Sequence, residues 1–462
     1  MMRLRSSSLV LQSLVLAALT LVGCSDNDVS PSYPAMGTGP NLATANAASL
    51  ADSVRILAAG RGVGPLPTPA PVRPTLVALG QALAFDKILS GNRDISCMTC
   101  HLAQFGAGDG RHLSIGQGAT GLGRRRNHPQ GLFIPRNAPS LFNLGANTSL
   151  FWDGRVSTDD QGNFHTPAGN LLTPEMIQVF EFGPASALPL FPVLSREEMR
   201  AFSGNELADV PDEDMPAAWA LLMQRLGTIP EYRRMFERAY PGTGFDQMTF
   251  AHAANAMGGF FIQRLNFNNS PWDRFLAGNN RAMTEKQLVG ARLFMNLRCS
   301  LCHNGPAFTD NQFHNVAVAQ FGPGKGNGPS FNDDFGRMNV DSRPEMQYAF
   351  RTPGLRNVVL TAPYGHDGAF FSLRDFIAHY SESDLKLRTF DPMTLEPLLQ
   401  GTLVANADQI LFTRDTILNG VVIPDSLVDQ LMDFMTALTD DPRKYPSVVP
   451  LRVPSRLPVD AP

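Results

Sequence analysis

Two short motifs hold four of the five cysteines in this 462-residue chain, and each motif ends in a histidine. The spacing Cys-x-x-Cys-His is typical of covalent haem attachment, because two thiols on one turn of chain can bond the two vinyl groups of one porphyrin. The histidine that follows is then held beneath the iron as a ligand. The sequence therefore predicts two covalent c-type haems, bound by Cys97, Cys100 and His101 and by Cys299, Cys302 and His303.

Other uses of these four cysteines are open to an exported protein. They could form two disulfides, or the two Cys-x-x-Cys pairs could bind zinc. Cysteine is rare in this chain, so two Cys-x-x-Cys-His motifs are improbable as a coincidence. Haem attachment is therefore the favoured interpretation.

The segments that precede the two cysteine motifs are predicted to form helices, which would position the motifs. Residues 73–86 carry leucines at helical intervals, and Thr284-Glu285-Lys286-Gln287 has the form of a capping box that opens a second helix. A glycine-led stretch recurs at residues 80–83 and 290–293. This weak internal repeat predicts a mainly α fold with two cytochrome c-like domains, one haem in each, at residues 73–270 and 271–445.

Apolar stripes predict further helices, whereas alternating strand patterns are scarce. These helices are expected at residues 216–226, 231–240, 249–265 and 426–439. The glycine-rich stretch 321–336 predicts a long loop, and long loops are often functional.

The N-terminus indicates export. Arg3 and Arg5 precede an apolar run at residues 9–22, which is too short to cross a bilayer well and is typical of a secretory signal. The run ends in Leu-Val-Gly-Cys24, which resembles a bacterial lipobox, although an ordinary signal with a chance cysteine is the alternative. We expect a signal peptide at 1–23, a lipidated Cys24 and a flexible tether at 24–72. They would hold the protein at a bacterial membrane on its periplasmic side.

Composition excludes two broad classes of protein. Hydrophobic residues make up 43% of the chain, which is too many for a disordered protein. The formal net charge of −4 lacks the basic excess expected of a nucleic-acid binder, so no nucleic-acid partner is expected.

Longer motifs between and after the cysteine motifs resemble a known family. These are Pro-Arg-Asn-Ala-Pro at 135–139, Phe-Trp-Asp-Gly-Arg at 151–155 and Leu-Thr-Ala-Pro-Tyr-Gly-His-Asp-Gly at 360–368. With the two haem motifs, they resemble the bacterial di-haem cytochrome c peroxidases, a family that includes MauG-type enzymes. The resemblance implies two c-type domains that face each other across a calcium site. One haem would meet hydrogen peroxide and the other would relay electrons.

The first haem departs from the family at its distal position. Typical members supply a histidine sixteen residues after the first proximal histidine, and this chain has Gln117 there. An amide is a poor ligand for ferric iron. We therefore expect an open or water-bound site that needs no reductive activation and include Gln117 among the catalytic residues. His112 and His128 are alternative ligands from the same loop.

The second haem departs in a similar way. Family peroxidases supply a methionine where this chain has Tyr380, and MauG-type enzymes have a tyrosine there. A thioether favours ferrous iron, whereas a phenolate is a hard anion that favours ferric and higher states. Tyr380 is therefore the expected ligand opposite His303. A packed helix tyrosine, with His379 or Met393 as the ligand, is the alternative.

The resemblance assigns further roles near and between the haems. Trp152 matches the tryptophan that relays electrons, with a core tryptophan as the alternative. Asn137, with the backbone carbonyls of Thr361 and Pro363, matches the calcium ligands, and calcium suits such oxygen donors. The alternative is that Asn137 caps its own loop.

Peroxide cleavage needs a group that takes a proton from one oxygen and returns it to the other. The resemblance points to Glu198, which follows a Pro-Val pair at the family's spacing, and Glu175 is a second candidate. Leu188 stands where the family has a glutamine, which argues against ordinary peroxide turnover. Residues 156–191 exceed the family norm in length, so we expect them to cover the pocket or shape a partner site.

The leading interpretation is a peroxide-reducing di-haem oxidoreductase that takes electrons from a small cytochrome c or copper protein through its second haem. A MauG-like enzyme that oxidises residues of a partner protein is the alternative. Against it, Leu297 replaces the surface tryptophan that carries the hole in MauG, leaving Trp272 or Tyr364 as exit routes. A non-enzymatic electron-transfer cytochrome is the third option. Because the family often forms dimers, a homodimer is also expected.

Overall fold

The computed structural model describes residues 49–441 and 447–461, and α-helices dominate this part of the chain. The predicted signal peptide, Cys24 and the tether as far as residue 48 lie outside the described residues. In chain order the helices are α1 (Leu50–Gly60), α2 (Pro74–Phe85), α3 (Cys97–Cys100), α4 (Pro174–Ile177), α5 (Pro184–Ala187), α6 (Met215–Gly227), α7 (Pro230–Ala239), α8 (Phe250–Arg264), α9 (Pro271–Leu276), α10 (Glu285–Asn296), α11 (Cys299–Cys302), α12 (Met338–Asp341), α13 (Leu373–His379), α14 (Ser383–Arg388), α15 (Ala407–Phe412) and α16 (Asp425–Ala437).

The prediction of a mainly α fold is confirmed, because the strands in the described ranges are only two or three residues long. β1 (Ser149–Leu150), β2 (Val156–Thr158) and β3 (Phe164–His165) form an antiparallel sheet in that order, and β4 (Phe313–His314) pairs with β5 (Phe350–Arg351). The helices predicted at 216–226, 231–240, 249–265 and 426–439 are confirmed to within two residues at each end. Among the described residues, none of the helices combines the length and apolarity that a bilayer crossing requires.

The first hydrophobic core forms where α2 packs against α8. Leu76, Leu79 and Leu83 lie on the buried face of α2, as their helical spacing predicts. Gly80 lies at the point of closest approach, since a Cβ there would come within 1.8 Å of the Ala256 carbonyl oxygen. The two backbones can therefore approach so closely only because residue 80 has no side chain.

The second core repeats this arrangement with α10 and α16. Thr284 caps α10 by accepting a hydrogen bond from the Gln287 backbone at 3.3 Å, and Gln287 bonds back to the Thr284 backbone, so the capping box is confirmed. Gly290 matches Gly80, because a Cβ there would come within 2.0 Å of the Gln430 carbonyl oxygen. The glycine-led repeat therefore marks equivalent helix crossings. Assigning the two cores to separate cytochrome c-like domains stays a prediction.

Gly80→Ala tests the first crossing. We expect it to lower the free energy of unfolding by about 1–3 kcal/mol, because the added methyl group overpacks the α2–α8 contact. Gly60→Ala is the matched control, since Gly60 ends α1 and a Cβ there would meet no atom within 4 Å. Chemical denaturation of the purified holoprotein measures both variants. Equal unfolding midpoints for the two would show that the crossing tolerates a side chain.

The flexible tether predicted at residues 24–72 is wrong for residues 50–60, which form a helix. Residues 50–60 form α1, which packs on α10, and buries Ala51, Val54 and Ala58 in the second core. The apolar positions at helical spacing explain why this stretch folds although its neighbours are rich in small and polar residues.

The C-terminal segment 447–461 returns to the first core. Val453 is buried there, and the Ser455 hydroxyl donates a hydrogen bond to Asp86 at 2.5 Å. Asp460 pairs with Lys87 at 2.7 Å and accepts a hydrogen bond from Thr99, which lies inside the first cysteine motif. This segment therefore braces the first motif from outside.

Candidate active site

Each cysteine motif lines its own cavity, and we name the two cavities after the halves of the chain that carry the motifs. The N cavity, of about 140 Å³, is lined by Cys97, Cys100 and His101. The C cavity, of about 400 Å³, is lined by Cys299, Cys302 and His303. All four cysteines are free thiols, so the disulfide alternative is wrong for this structure.

The two motif histidines are oriented as metal ligands usually are. The Nδ1 atom of His101 lies 2.8 Å from the Ala107 carbonyl oxygen, and that of His303 lies 3.0 Å from the Phe308 carbonyl oxygen. Such a bond fixes the tautomer and leaves Nε2 available for iron. Burial lowers the pKa of both histidines, which favours the neutral form that binds metal.

An unpaired buried cation in the wall between the cavities also fits a haem. Arg351 lines both cavities, and its guanidinium donates only to neutral oxygens, at 3.1 to 3.4 Å. Among the described residues no carboxylate pairs with it, and burial lowers its pKa to about 10. A buried charge without a counter-ion is costly. The propionate carboxylates that a haem carries would supply that counter-ion, so the residues present fit the group.

Tyr380 lines the C cavity, whereas the alternative ligands do not. Burial raises the pKa of its phenol, so the anionic form would need a nearby cation such as iron. The Nε2 atom of His379 is engaged with the Val316 carbonyl oxygen at 2.8 Å, and Met393 is 67% exposed on the surface. The structure therefore brings Tyr380, and neither alternative, to the cavity of His303.

Glu198 lines the N cavity and lies on a π-helical turn, Arg196–Arg200. Such turns are rare and often mark functional sites. Burial raises the pKa of Glu198, although Arg155 and Lys325 oppose the shift. Glu175, the second candidate, is exposed and lies outside the N cavity.

Gln117 lines neither haem cavity, so the structure does not bring it together with His101 and Glu198. Its amide oxygen accepts a hydrogen bond from the Asn92 amide at 2.7 Å, and its catalytic role stays a prediction. His112 and His128 also lie outside the N cavity, with Nδ1 atoms bonded to Gly368 and Gln130 backbone atoms. Among the described histidines, only His101 lines the N cavity.

Trp152 lies in the wall between the two cavities and lines both. Its indole nitrogen donates a hydrogen bond to the Asn137 carbonyl oxygen at 2.9 Å, which fixes the ring. The family resemblance implies a tryptophan between the haems, and Trp152 lies between the two cavities; its relay role stays a prediction.

A buried ionic network lies next to Trp152 and was not predicted from the sequence. Arg136 donates to Asp334 at 2.6 and 2.8 Å and to Asp153 at 2.6 Å. Burial opposes ionisation of Asp153, but the Arg155 and Arg136 guanidiniums hold its pKa well below the usual range. The network ties the Trp-Asp-Gly-Arg turn to the glycine-rich loop. The Pro-Arg-Asn-Ala-Pro motif contained the arginine, but no local signal identified Asp334 as its partner.

The predicted calcium ligands Asn137, Thr361 and Pro363 all line the C cavity. The Asn137 amide nitrogen donates to the Arg111 and His112 carbonyl oxygens at 2.8 and 3.3 Å, which leaves its oxygen for another partner. Among the described residues, no backbone N–H donates to the Thr361 or Pro363 carbonyl oxygen. Three neutral oxygen donors are therefore available, and their chemistry fits calcium.

The other residues that the sequence singled out fall into two groups. Leu188 lines the N cavity, and Leu297 and Tyr364 line the C cavity. Trp272 is fully buried in the second core, so it does not offer the surface exit route considered for it.

A larger opening of about 1320 Å³, the outer cavity, adjoins the N cavity. The two share Arg155, Ser195, Glu197, Glu198 and Lys325 as lining residues. Much of its remaining wall comes from residues 157–177, within the long insertion predicted to cover the pocket or shape a partner site. The insertion therefore shapes the approach to Glu198.

Sequence comparison with known proteins gives consistent matches. The family model described as di-haem cytochrome c peroxidase matches residues 74–281. Cytochrome c551 peroxidase of Pseudomonas aeruginosa is 30% identical over 311 residues, covering 66% of this chain and 72% of that protein. Cytochrome c peroxidase Ccp of Escherichia coli is 32% identical over 66% of this chain, which spans about half, 53%, of that protein. The methylamine utilization protein MauG of Methylorubrum extorquens is 28% identical, covering 68% and 71%.

A solved structure shows the same fold. A MauG-like protein associated with microbial copper homeostasis matches with a TM-score of 0.55 and 24% identity, over 82% of this chain and 93% of that one. This likeness shows the fold alone.

Proposed function

This chain belongs to the family of di-haem cytochrome c peroxidases and MauG-type enzymes, and we propose that it reduces hydrogen peroxide at the N cavity. Two covalent haem c groups would serve as cofactors, one in each cavity. Electrons would reach the N cavity from the haem held by His303 and Tyr380, by way of Trp152.

The observation that carries this proposal is the pairing of His101 with Glu198 in one cavity that no other described histidine lines. His101 would hold a ferric haem, and that group would supply the two electrons that cleavage of the peroxide O–O bond requires. The Glu198 carboxylate would take the proton from the bound oxygen and return it to the departing oxygen, which leaves as water. The raised pKa of Glu198 matches a group that must both accept and release a proton.

A second candidate function is the MauG-like oxidation of residues on a partner protein. Tyr380 favours it, because a phenolate ligand would make the second haem a poor acceptor of electrons from an ordinary cytochrome. Leu297 argues against the exit route that MauG uses, and the burial of Trp272 removes one substitute. The two functions share the peroxide step. They differ in whether an electron-donor protein or a substrate protein supplies the electrons that restore the oxidised enzyme.

Rapid mixing of the fully ferric holoprotein with hydrogen peroxide tests the shared step. We expect a fast shift of a high-spin haem spectrum without prior reduction, because no second described histidine is available to close the His101 iron. A reaction that begins only after one haem is reduced would show that a protein ligand closes that iron. Silence in both states would overturn the proposal in favour of a simple electron carrier.

The fate of the oxidised protein then separates the two functions. Steady peroxide consumption with a reduced small cytochrome c or copper protein supports the peroxidase. Slow decay with these donors, together with oxidised residues found by mass spectrometry in a protein from the same periplasm, supports the MauG-like enzyme.

We also propose that Asn137, Thr361 and Pro363 bind calcium beside the C cavity. Removal of calcium with a chelator is expected to lower the melting temperature of the holoprotein, since a ligand that binds only the folded state stabilises it. Asn137→Ala should abolish this calcium dependence. A melting temperature that calcium leaves unchanged in the wild-type protein would refute the site.

The proposal also covers the location of the protein and its oligomeric state. Lipidation of Cys24 would anchor the protein on the periplasmic side of a bacterial membrane, and two copies would associate as a homodimer. Mass spectrometry of the mature N-terminus tests the anchor, and light scattering of the purified protein tests the dimer.

A further inference from the structure

The glycine-rich loop at residues 321–336 folds back on itself and fixes the backbone of Lys325 by a hydrogen bond. Gly322, Gly324, Gly326 and Gly328 all have positive φ, between 61° and 81°, a conformation that suits glycine. A Cβ at residue 324 would come within 2.0 Å of the Asn332 carbonyl oxygen, so the loop folds back tightly on itself. The Lys325 backbone N–H then donates to the Asp333 carbonyl oxygen at 2.9 Å.

This loop comes from the second half of the chain, yet Lys325 lines the N cavity of the first half together with Glu198. Lys325 also lines the outer cavity, so it lies where the two openings meet. Within the described residues, Lys325 makes no ion pair and its ammonium donates no hydrogen bond. Asp334, one of the two carboxylates whose charge acts on Lys325, already accepts two hydrogen bonds from Arg136.

The charged groups around Lys325 leave its ammonium group available to a ligand. Desolvation in this concave site lowers the pKa of Lys325, as do Arg136 and Arg155, whereas Asp334 and Glu198 raise it. Arg155 is itself engaged, because it pairs with Asp153 at 3.2 Å and stacks on the Phe151 ring at 3.6 Å. Lys325 is therefore the cation near Glu198 that is not committed to a partner among the described residues.

We propose that Lys325 is a catalytic residue that donates a hydrogen bond to the oxygen ligand bound in the N cavity, which Glu198 also lines. This inference rests on the proposed function, for which hydrogen peroxide is that ligand. Leu188 lines the same cavity, and its side chain has no hydrogen-bond donor. The Lys325 ammonium, from the second half of the chain, would supply a donor there. Glu198 accepts the peroxide proton, and Lys325 donates a hydrogen bond to the bound peroxide.

Ligand binding to the ferric holoprotein tests this role without turnover. Fluoride is the probe, because it binds ferric haem as an anion and accepts hydrogen bonds, and imidazole is the comparison ligand because it needs no distal donor. We expect Lys325→Met to weaken fluoride binding by about tenfold or more, since hydrogen bonds from charged donors are the strong ones. Imidazole affinity should change by less than about twofold, and Lys325→Arg should restore most of the fluoride affinity.

Lys286→Met is the matched control, because Lys286 is exposed on α10, lines neither the N cavity nor the outer cavity and carries the same charge. Equal fluoride affinity in Lys325→Met and Lys286→Met would overturn the role of Lys325. Failure of the wild-type protein to react with peroxide would overturn the proposed function instead, and the fluoride result would stand. Weaker fluoride binding together with a slower peroxide reaction in Lys325→Met alone would support both.

Discussion

Replacement of Glu198 by glutamine is expected to slow the reaction of the ferric holoprotein with hydrogen peroxide by about 100-fold or more. Glutamine preserves the size of the side chain and its place on the π-helical turn, but it has no carboxylate to take up the proton. Stopped-flow spectra at several peroxide concentrations give the second-order rate constant. Glu175→Gln is the matched control, since that carboxylate is exposed and lies outside the N cavity.

The pH dependence of the same rate gives an independent signature. Burial raises the pKa of Glu198, so the carboxylate form is lost at a higher pH than for an ordinary glutamate. The wild-type rate should therefore fall as the pH decreases through this raised pKa, whereas the Glu198→Gln rate should lack that step. An unchanged rate in Glu198→Gln, or an equal loss in Glu175→Gln, would move the proton shuttle to another group or to water.

The sequence predicted those parts of the protein that local chemistry determines. The cysteine motifs, the capping box at Thr284 and the glycine-led repeat all depend on contacts that short spacing sets. Gly80 and Gly290 illustrate this, because both are visible as a repeat in the sequence and both lie at helix crossings in the structure. The prediction for residues 50–60 was wrong, since the polar composition of the preceding segment was extended over a stretch that has its own apolar face.

The parts that escaped prediction are those that distant segments build together. Lys325 and Glu198 line one cavity although more than a hundred residues of chain separate them. Arg136 pairs with Asp334, which lies 198 residues further along the chain. No periodicity links such partners. Gln117 shows the opposite case, because its place in the chain matched a haem ligand position, whereas its hydrogen bond with Asn92 had no signal in the sequence.

Tyr380→Phe is expected to convert the haem of the C cavity from a low-spin to a high-spin state. Phenylalanine keeps the ring that packs in this cavity and removes only the oxygen that would bind iron. The loss of an anionic ligand should also raise the reduction potential of that haem, because a phenolate favours ferric iron. Magnetic circular dichroism of the ferric protein reports the spin state, and a redox titration reports the potential.

Tyr364→Phe is the control that isolates ligation from the mere loss of a hydroxyl. Tyr364 lines the same C cavity, but its hydroxyl donates to the Val358 carbonyl oxygen at 3.1 Å and so is not free to bind iron. The haem should therefore stay low-spin in this variant. If both variants stayed low-spin, the ligand would have to come from elsewhere, and the argument from Tyr380 toward a MauG-like enzyme would be lost. If only Tyr380→Phe becomes high-spin, the second haem carries a ligand suited to storing oxidising equivalents, and the search for a protein substrate takes priority over the search for an electron donor.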